Sequence, residues 1–207
     1  MTLLEVCVDS AETLRRAESG GAHRIELCAR LDLGGLSPDG ELLSLARRTC
    51  SVPLHVMVRP RGGDFVYENA ELARMRDEIE GLVRFGVAGV VFGALRRDRS
   101  IDVEATRELV GVARPLSVTF HRAFDDTPDP SAALEQLIDL GVQRVLTTGG
   151  AVDAHTGRFA LARLVAQARG RIVVLAGGGV RAHNWRELVR DSGVTEIHSS
   201  TVFNLDG

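Results

Sequence analysis

Short runs of aliphatic and β-branched residues alternate with longer segments of helical periodicity along the whole chain. In the longer segments apolar residues recur every three to four positions, as in SAETLRRAES (10–19) and SAALEQLIDLG (131–141), which indicates amphipathic helices. The predicted strands are residues 3–8, 24–28, 53–59, 89–93, 116–122, 144–149, 171–177 and 196–200. This alternation predicts an α/β fold with parallel strands, and eight strands favour a single TIM (β/α)8 barrel over residues 1–207. A doubly wound open sheet gives the same rhythm and is the alternative.

Capping residues mark the ends of the predicted helices. Candidate N-caps are Ser10, Ser37 before Pro38, Asp102, and Asp129 before Pro130. Glycines that would end helices in the left-handed conformation are Gly20, Gly86, Gly141 and Gly193. Only TVFNLDG follows the eighth strand, so the eighth helix is missing. We therefore expect the outward apolar residues Leu4, Val6 and Ile197 to need cover from a partner chain or from sequence beyond residue 207.

One side of several predicted strands is unusually polar for a barrel. Residues two apart in a strand point the same way, and the opposite parity is largely apolar and suited to packing under helices. The polar set predicted to face the interior is Glu5, Cys7, Asp9, Glu26, Cys28, His55, Met57, Arg59, Thr119, His121, Glu196, His198 and Ser200. Because isolated buried charges are costly, this set is either functional or a structural network in which Glu5 and Glu26 pair with Arg59 or His55.

The loops after the strands suggest an anion site. RPRGGDF (59–65) and HRAFDD (121–126) follow the third and fifth strands, and AGGGV (176–180) follows the seventh and is predicted to open a helix. A barrel gathers these strand ends around one mouth. The candidate anion-binding residues are Arg59, Arg61, Arg122, Gly178, Gly179 and Ser199. The candidate catalytic acid–base groups are Glu26, His121 and Asp125.

Composition narrows the classes of function. The formal net charge is -3 with basic residues scattered among acids, so we expect no nucleic-acid partner. No apolar run reaches the roughly 18 residues of a membrane span, and no signal peptide is recognisable, so we expect a cytoplasmic protein. All 25 basic residues are arginine, which excludes a Schiff-base lysine. Nothing implies a nucleotide cofactor.

Two cysteines form a repeated pattern. Glu-x-Cys occurs at 5–7 and 26–28 on adjacent predicted strands with matching parity, so Cys7 and Cys28 could share a soft ion such as Cu(I), with Met57 adding a thioether. The alternative is that both are ordinary small core residues. Neither C-x-x-C nor H-x-x-x-H occurs, so we expect no tetrahedral zinc site.

Several segments together resemble one known family. LLEVCVDS, HRIELCARLDLGGLSP, RPRGGDF, VTFHRAFD, RVLTTGG, VLAGGGV and EIHSS are similar to the CutC, or copper-homeostasis, family over Leu3 to Ser200. The resemblance implies a cytoplasmic TIM barrel, usually a homodimer, linked to copper handling, with Cys7 and Cys28 as Cu(I) ligands. It also implies a final helical segment after HSS, which this chain does not show.

Two functions therefore remain open. The first is a copper homeostasis protein that binds Cu(I) through its interior cysteines. The second is a TIM-barrel enzyme (a lyase, isomerase or hydrolase without a Schiff base) that acts on a small anionic ligand such as a phosphorylated metabolite.

Overall fold

A closed barrel of eight parallel strands forms the centre of the protein. The computed structural model describes residues 2–205. The strands follow one another in chain order, and β1 pairs with β8 to close the barrel. They are β1 Leu3–Val8, β2 Arg24–Leu27, β3 Leu54–Met57, β4 Gly89–Phe92, β5 Ser117–Phe120, β6 Arg144–Thr147, β7 Val173–Gly177 and β8 Glu196–Ser199. The TIM-barrel prediction is confirmed, and the open sheet is excluded.

Seven α-helices surround the strands in the part of the chain that the structure describes. They are α1 Ala11–Ser19, α2 Gly40–Thr49, α3 Asn69–Phe85, α4 Val103–Ala113, α5 Pro130–Asp139, α6 Arg158–Ala168 and α7 Trp185–Ser192. Short 3-10 helices at Leu31–Leu33 and Arg122–Asp126 follow β2 and β5. Outward strand residues such as Leu4, Ile25 and Val90 are completely buried beneath the helices.

Most of the predicted helix caps are confirmed. Asp102 and Asp129 accept backbone N–H groups of their helices, and Ser10 forms a capping box with Thr13. Ser37 was the wrong choice for α2. Asp39 caps that helix instead, while the Ser37 hydroxyl accepts the N–H of Arg59 at 3.0 Å.

The predicted left-handed glycines are confirmed for three helices. Gly86 and Gly193 end α3 and α7, and Gly141, with φ 78°, follows the Leu140 cap of α5. After α1 the left-handed residue is Gly21, with φ 85°, and not Gly20.

An irregular tail covers the side of the barrel that lacks a helix. Leu4, Val6 and Ile197, expected to meet water, are at most 3% exposed. Three tail residues pack against the core: Val202, Phe203 and Leu205. Val202 also fills the space beside Gly20 after α1. The exposed flank therefore no longer gives a reason for a partner chain.

Candidate functional site

The N-terminal half of the barrel interior contains a paired network of charges. Arg24 donates from Nε to Glu5 and from Nη2 to Glu196 at 2.6 Å. Arg144 donates from Nε to the same Glu196 at 2.9 Å and from Nη1 to the hydroxyl of Ser117. Burial alone would raise the pKa of Glu5, but the hydrogen bond with His198 and the charge of Arg24 hold it far below its ordinary value.

Sequence reasoning missed the cations of this network. It paired Glu5 with Arg59 or His55, whereas Arg24 and Arg144 provide the charge-assisted bonds to the carboxylates. His55 lies 3.9 Å from Glu5 and donates no hydrogen bond to it. Arg24 lies two residues before Glu26 in β2 and therefore on the same inward side. The alternation of that strand could thus have predicted Arg24 as a partner for the interior carboxylates.

Above this network, Cys7, Glu26 and His198 come together from three neighbouring strands. Cys7 is the cross-strand partner of Glu26, and Glu5 is that of His198. One ligand atom from each of the three residues lies within 4.8 Å of the other two. His198 Nδ1 lies 2.7 Å from Glu5 Oε1, and Nε2 lies 3.9 Å from Glu26 Oε2. A thiol, an imidazole and a carboxylate therefore share one small space.

Burial and charge act in opposite senses on this cluster. Burial raises the pKa of Glu26 to about 7, and its Oε1 atom has no hydrogen-bond partner in residues 2–205. Burial alone would lower the pKa of His198, but the charge of Glu26 and contacts with Cys7 and Glu5 raise it well above its ordinary value. A proton or another cation is therefore stabilised between these groups.

The predicted sulfur residues also pack together around Cys7. Cys7, Cys28, Met57 and Val91 form a buried cluster separate from the main core. A β-carbon added at Gly35 would lie 3.4 Å from Met57 Cε and 3.7 Å from Cys28 Sγ, so this glycine leaves space beside both sulfur-bearing side chains. Burial raises the pKa of the Cys28 thiol, which donates to the Val8 carbonyl at 3.5 Å.

Each of the three inward histidines lies against a glycine of the neighbouring strand. The pairs are His55 with Gly89, His121 with Gly93, and His198 with Gly177. A β-carbon at Gly93 would lie 2.6 Å from Nδ1 of His121. That Nδ1 accepts the Ala123 N–H at 3.2 Å, so the neutral ring carries its proton on Nε2. Burial and the charge of Arg59 lower the pKa of His121 to about 3, and its buried Nε2 has no partner among the described residues.

Arg59 and Arg61 both have partners within the protein. Arg59 is 5% exposed and donates to the backbone carbonyls of Leu33, Gly35 and Gly63. Arg61 binds Glu71 at 2.6 Å and Asp64 at 3.0 Å. Both guanidinium groups hold the loop in place.

The same loop packs Phe65 against His121. The Phe65 ring lies 4.7 Å from the guanidinium carbon of Arg59, and its centroid is 4.8 Å from that of His121. His121 therefore lies beneath the loop rather than open to solvent.

Contacts of Arg122 and Asp125 connect the loops that follow β5, β6 and β7. Asp125 accepts the Arg122 Nε at 2.9 Å and the N–H of Thr148 at 3.1 Å. A β-carbon at Gly178 would lie 3.6 Å from the guanidinium carbon of Arg122, whose side chain is 48% exposed. Arg122 and Gly178 are thus the predicted anion-binding residues that come together.

The loop after β7 differs from its prediction. Gly178 and Gly179 adopt left-handed φ angles of 97° and 73°, but α7 begins only at Trp185. The glycine triplet therefore does not open the helix, because Val180 to Asn184 lie between them. Ser199 donates its hydroxyl to the Val180 carbonyl at 2.9 Å and fixes the end of this loop.

Fold and site together define a TIM-barrel protein whose interior is lined by thiols, imidazoles and carboxylates. Residues 2–203 match the model of the CutC family, and the chain belongs to this family. A human protein named copper homeostasis protein cutC homolog is 48% identical over 198 residues, which cover 96% of this chain and 72% of that protein. A CutC protein of Vibrio vulnificus is 48% identical over 199 residues, covering 95% of this chain and 80% of the relative.

Solved structures agree with this assignment. The crystal structure of the CutC protein from Streptococcus agalactiae superposes with a TM-score of 0.93 at 32% identity and covers 98% of this chain and 100% of that one. Deoxyribose phosphate aldolase from Aeropyrum pernix superposes with a TM-score of 0.69 at 18% identity, covering 96% of this chain and 86% of that one. The second likeness shows the barrel fold alone.

Proposed function

We propose that this protein serves copper homeostasis by binding Cu(I) inside the barrel through Cys7 and Cys28, with Met57 as a third sulfur ligand. The observation that carries the proposal is the convergence of these three side chains in one buried cluster. Thiolate and thioether are the soft ligands that Cu(I) prefers. Gly35 carries no side chain that would fill the space beside Met57 and Cys28.

Charge and access also support the proposal. Two thiolates and one Cu(I) carry a net negative charge, which the imidazolium of His198 beside Cys7 would balance. A groove of about 210 Å³ between α1 and the tail is lined by Cys7, Thr13 and Val202. Cys7 is 7% exposed and borders this groove.

Anaerobic competition between the protein and a coloured Cu(I) chelator tests the proposal. We expect the parent to bind one equivalent and the Cys7→Ser, Cys28→Ser double variant to lose stoichiometric binding. Cys50→Ser is the matched control, because its thiol donates to the Val52 carbonyl outside the cluster. If the double variant binds Cu(I) as tightly as the parent, the two cysteines are packing residues and the proposal is wrong.

Location and assembly belong to the same proposal. No helix in residues 2–205 is long and apolar enough to cross a membrane. All three cysteines are free, which suits the reducing cytoplasm. We expect a cytoplasmic homodimer, as the family resemblance implies, and sedimentation of the purified chain measures the assembly.

An enzyme acting on a small anion is the second candidate. It is favoured by the buried, unpartnered Nε2 of His121 and by the half-exposed Arg122 beside Gly178. A phosphate or carboxylate at Arg122 would raise the melting temperature of the protein, since ligands stabilise the folded state that binds them. Arg122→Ala should remove that shift, and Arg15→Ala, on the exposed side of α1, should keep it. If no anion in a panel of phosphorylated and carboxylated metabolites stabilises the parent, this candidate fails.

A further inference from the structure

We propose that Cys7, Glu26 and His198 form a second metal site, for a borderline divalent cation such as Zn²⁺, which shares Cys7 with the sulfur cluster. The proposal does not depend on Cu(I) binding. The two sites share only Cys7, so one ion at a time would occupy the interior.

The first support is the distance between the candidate ligand atoms. They lie within 4.8 Å of one another, and they come from β8, β1 and β2. Ligands bound tetrahedrally to Zn²⁺ at about 2.0–2.3 Å are roughly 3.3–3.8 Å apart, so a contraction of about 1 Å completes the site. The absence of local zinc motifs does not count against it, because each ligand comes from a different strand.

The second support is the orientation of His198. Its Nδ1 lies 2.7 Å from Glu5, and Glu5 is held in turn by Arg24. A carboxylate that accepts the Nδ1 proton directs Nε2 toward a metal, as in many histidine-ligated centres. Here Nε2 is the atom on the side of Glu26. Glu5 is therefore a positioning residue for this site.

The third support is the unsatisfied carboxylate of Glu26. Glu26 is 3% exposed, and its Oε1 has no hydrogen-bond partner in the described part of the chain. A buried polar atom without a partner is costly, and a cation would satisfy it. Cu(I) bound in the sulfur cluster would leave Glu26 Oε1 without a partner. The unpartnered oxygen therefore indicates a site for a different ion.

The donor set and its charge select the class of ion. One thiolate, one imidazole and one carboxylate match the mixed S, N and O ligands of zinc sites. Two ligand charges of -1 neutralise a divalent cation, which limits the cost of burying it. Three protein ligands also leave a fourth position open for water or another ligand.

Co²⁺ is the probe, because it replaces Zn²⁺ and absorbs visible light. We expect the metal-free 207-residue protein to bind one equivalent with a thiolate-to-metal charge-transfer band, and Zn²⁺ to displace it. Glu26→Gln, His198→Gln and Glu5→Gln should each weaken binding by about 10–100-fold. Cys7→Ser should abolish the charge-transfer band. Cys28→Ser should leave the Co²⁺ spectrum intact although it weakens Cu(I) binding, which keeps the failures of the two proposals distinguishable.

X-ray absorption on the Zn²⁺-loaded parent gives an answer that needs no variant to fold. One sulfur at about 2.3 Å with nitrogen and oxygen ligands at about 2.0–2.2 Å supports the site. Two sulfur ligands would place the ion in the sulfur cluster, and a sulfur-free shell would place it elsewhere; either result overturns the proposal. Unchanged Co²⁺ affinity in both Glu26→Gln and His198→Gln would overturn it as well.

Discussion

The two halves of the barrel interior use the same residue types in opposite ways. In the N-terminal half, Arg24 and Arg144 bind the carboxylates of Glu5 and Glu196 directly. In the C-terminal half, Glu26 and His121 each bury an atom that has no hydrogen-bond partner in residues 2–205. Both halves come from the same inward parity of the strands. The register with neighbouring strands, and not the residue type, therefore decides which polar atoms inside the barrel find partners.

Glu5 and Glu26 show the difference most clearly. Both carboxylates are at most 3% exposed. The pKa of Glu5 is far below its ordinary value because His198 and Arg24 overcome the effect of burial. The pKa of Glu26 rises to about 7 because burial outweighs the more distant His198 and Arg24. Both oxygen atoms of Glu5 have partners, and Glu26 keeps one oxygen without a partner among the described residues.

The largest effect is expected from removing a cation of the charge network in the N-terminal half of the barrel. Arg24→Met leaves Glu5 and Glu196 with fewer bonds in a buried position, and we expect the free energy of unfolding to fall by about 3–5 kcal/mol. Urea denaturation measures it. Arg16→Met removes an exposed pair with Glu12 and should change stability far less. Adding Glu5→Gln to Arg24→Met should recover part of the loss. Equal effects of Arg24→Met and Arg16→Met would show that the network contributes no more than a surface pair.

A smaller effect is expected from crowding His121 in the C-terminal half of the barrel. Gly93→Ala places a β-carbon 2.6 Å from the His121 ring, and we expect a loss of about 1–3 kcal/mol through overpacking. Gly111, inside α4, has nothing within 4 Å of such a carbon. Gly111→Ala should therefore stabilise the protein by about 0.5–1 kcal/mol. Two variants with the same sign would contradict the assigned packing of His121 on Gly93.

The smallest effect concerns how the contribution of His121, in the C-terminal half, to stability depends on pH. The pKa of His121 is about 3 in the folded protein, below its ordinary 6.5, so the unfolded chain binds a proton first. Its contribution to stability is present above pH 6.5 and is lost as the pH falls toward about 3. His121→Asn keeps an acceptor for the Ala123 N–H but does not titrate, so thermal unfolding should be less sensitive to acid. His183→Asn, at an exposed position, is the control, and an equal change in both variants would contradict the prediction.

The sequence predicted the strands and their polar side, because alternation is a property of each strand alone. It did not predict the partners, because these depend on the register between strands distant in the chain. Arg24 and Glu196 are 172 residues apart, and no local pattern reports their contact. The loops were harder still. Arg59 and Arg61 are predicted to form an anion clamp, and the sequence does not reveal that backbone carbonyls and Glu71 bond to them in the loop beside His121.

The tail over the first and last strands has a consequence for how the barrel forms. Closure joins Leu3–Val8 to Glu196–Ser199, the contact with the greatest separation along the chain, and loop-closure entropy makes such contacts form late. During synthesis β1 therefore cannot pair with β8 until the end of the chain has been made. The outer face of these two strands stays exposed to water until Val202 and Phe203 pack against it. We expect the backbone amides of the β1–β8 pair to exchange with deuterium sooner than those of β4, which lies on the opposite side of the barrel between β3 and β5.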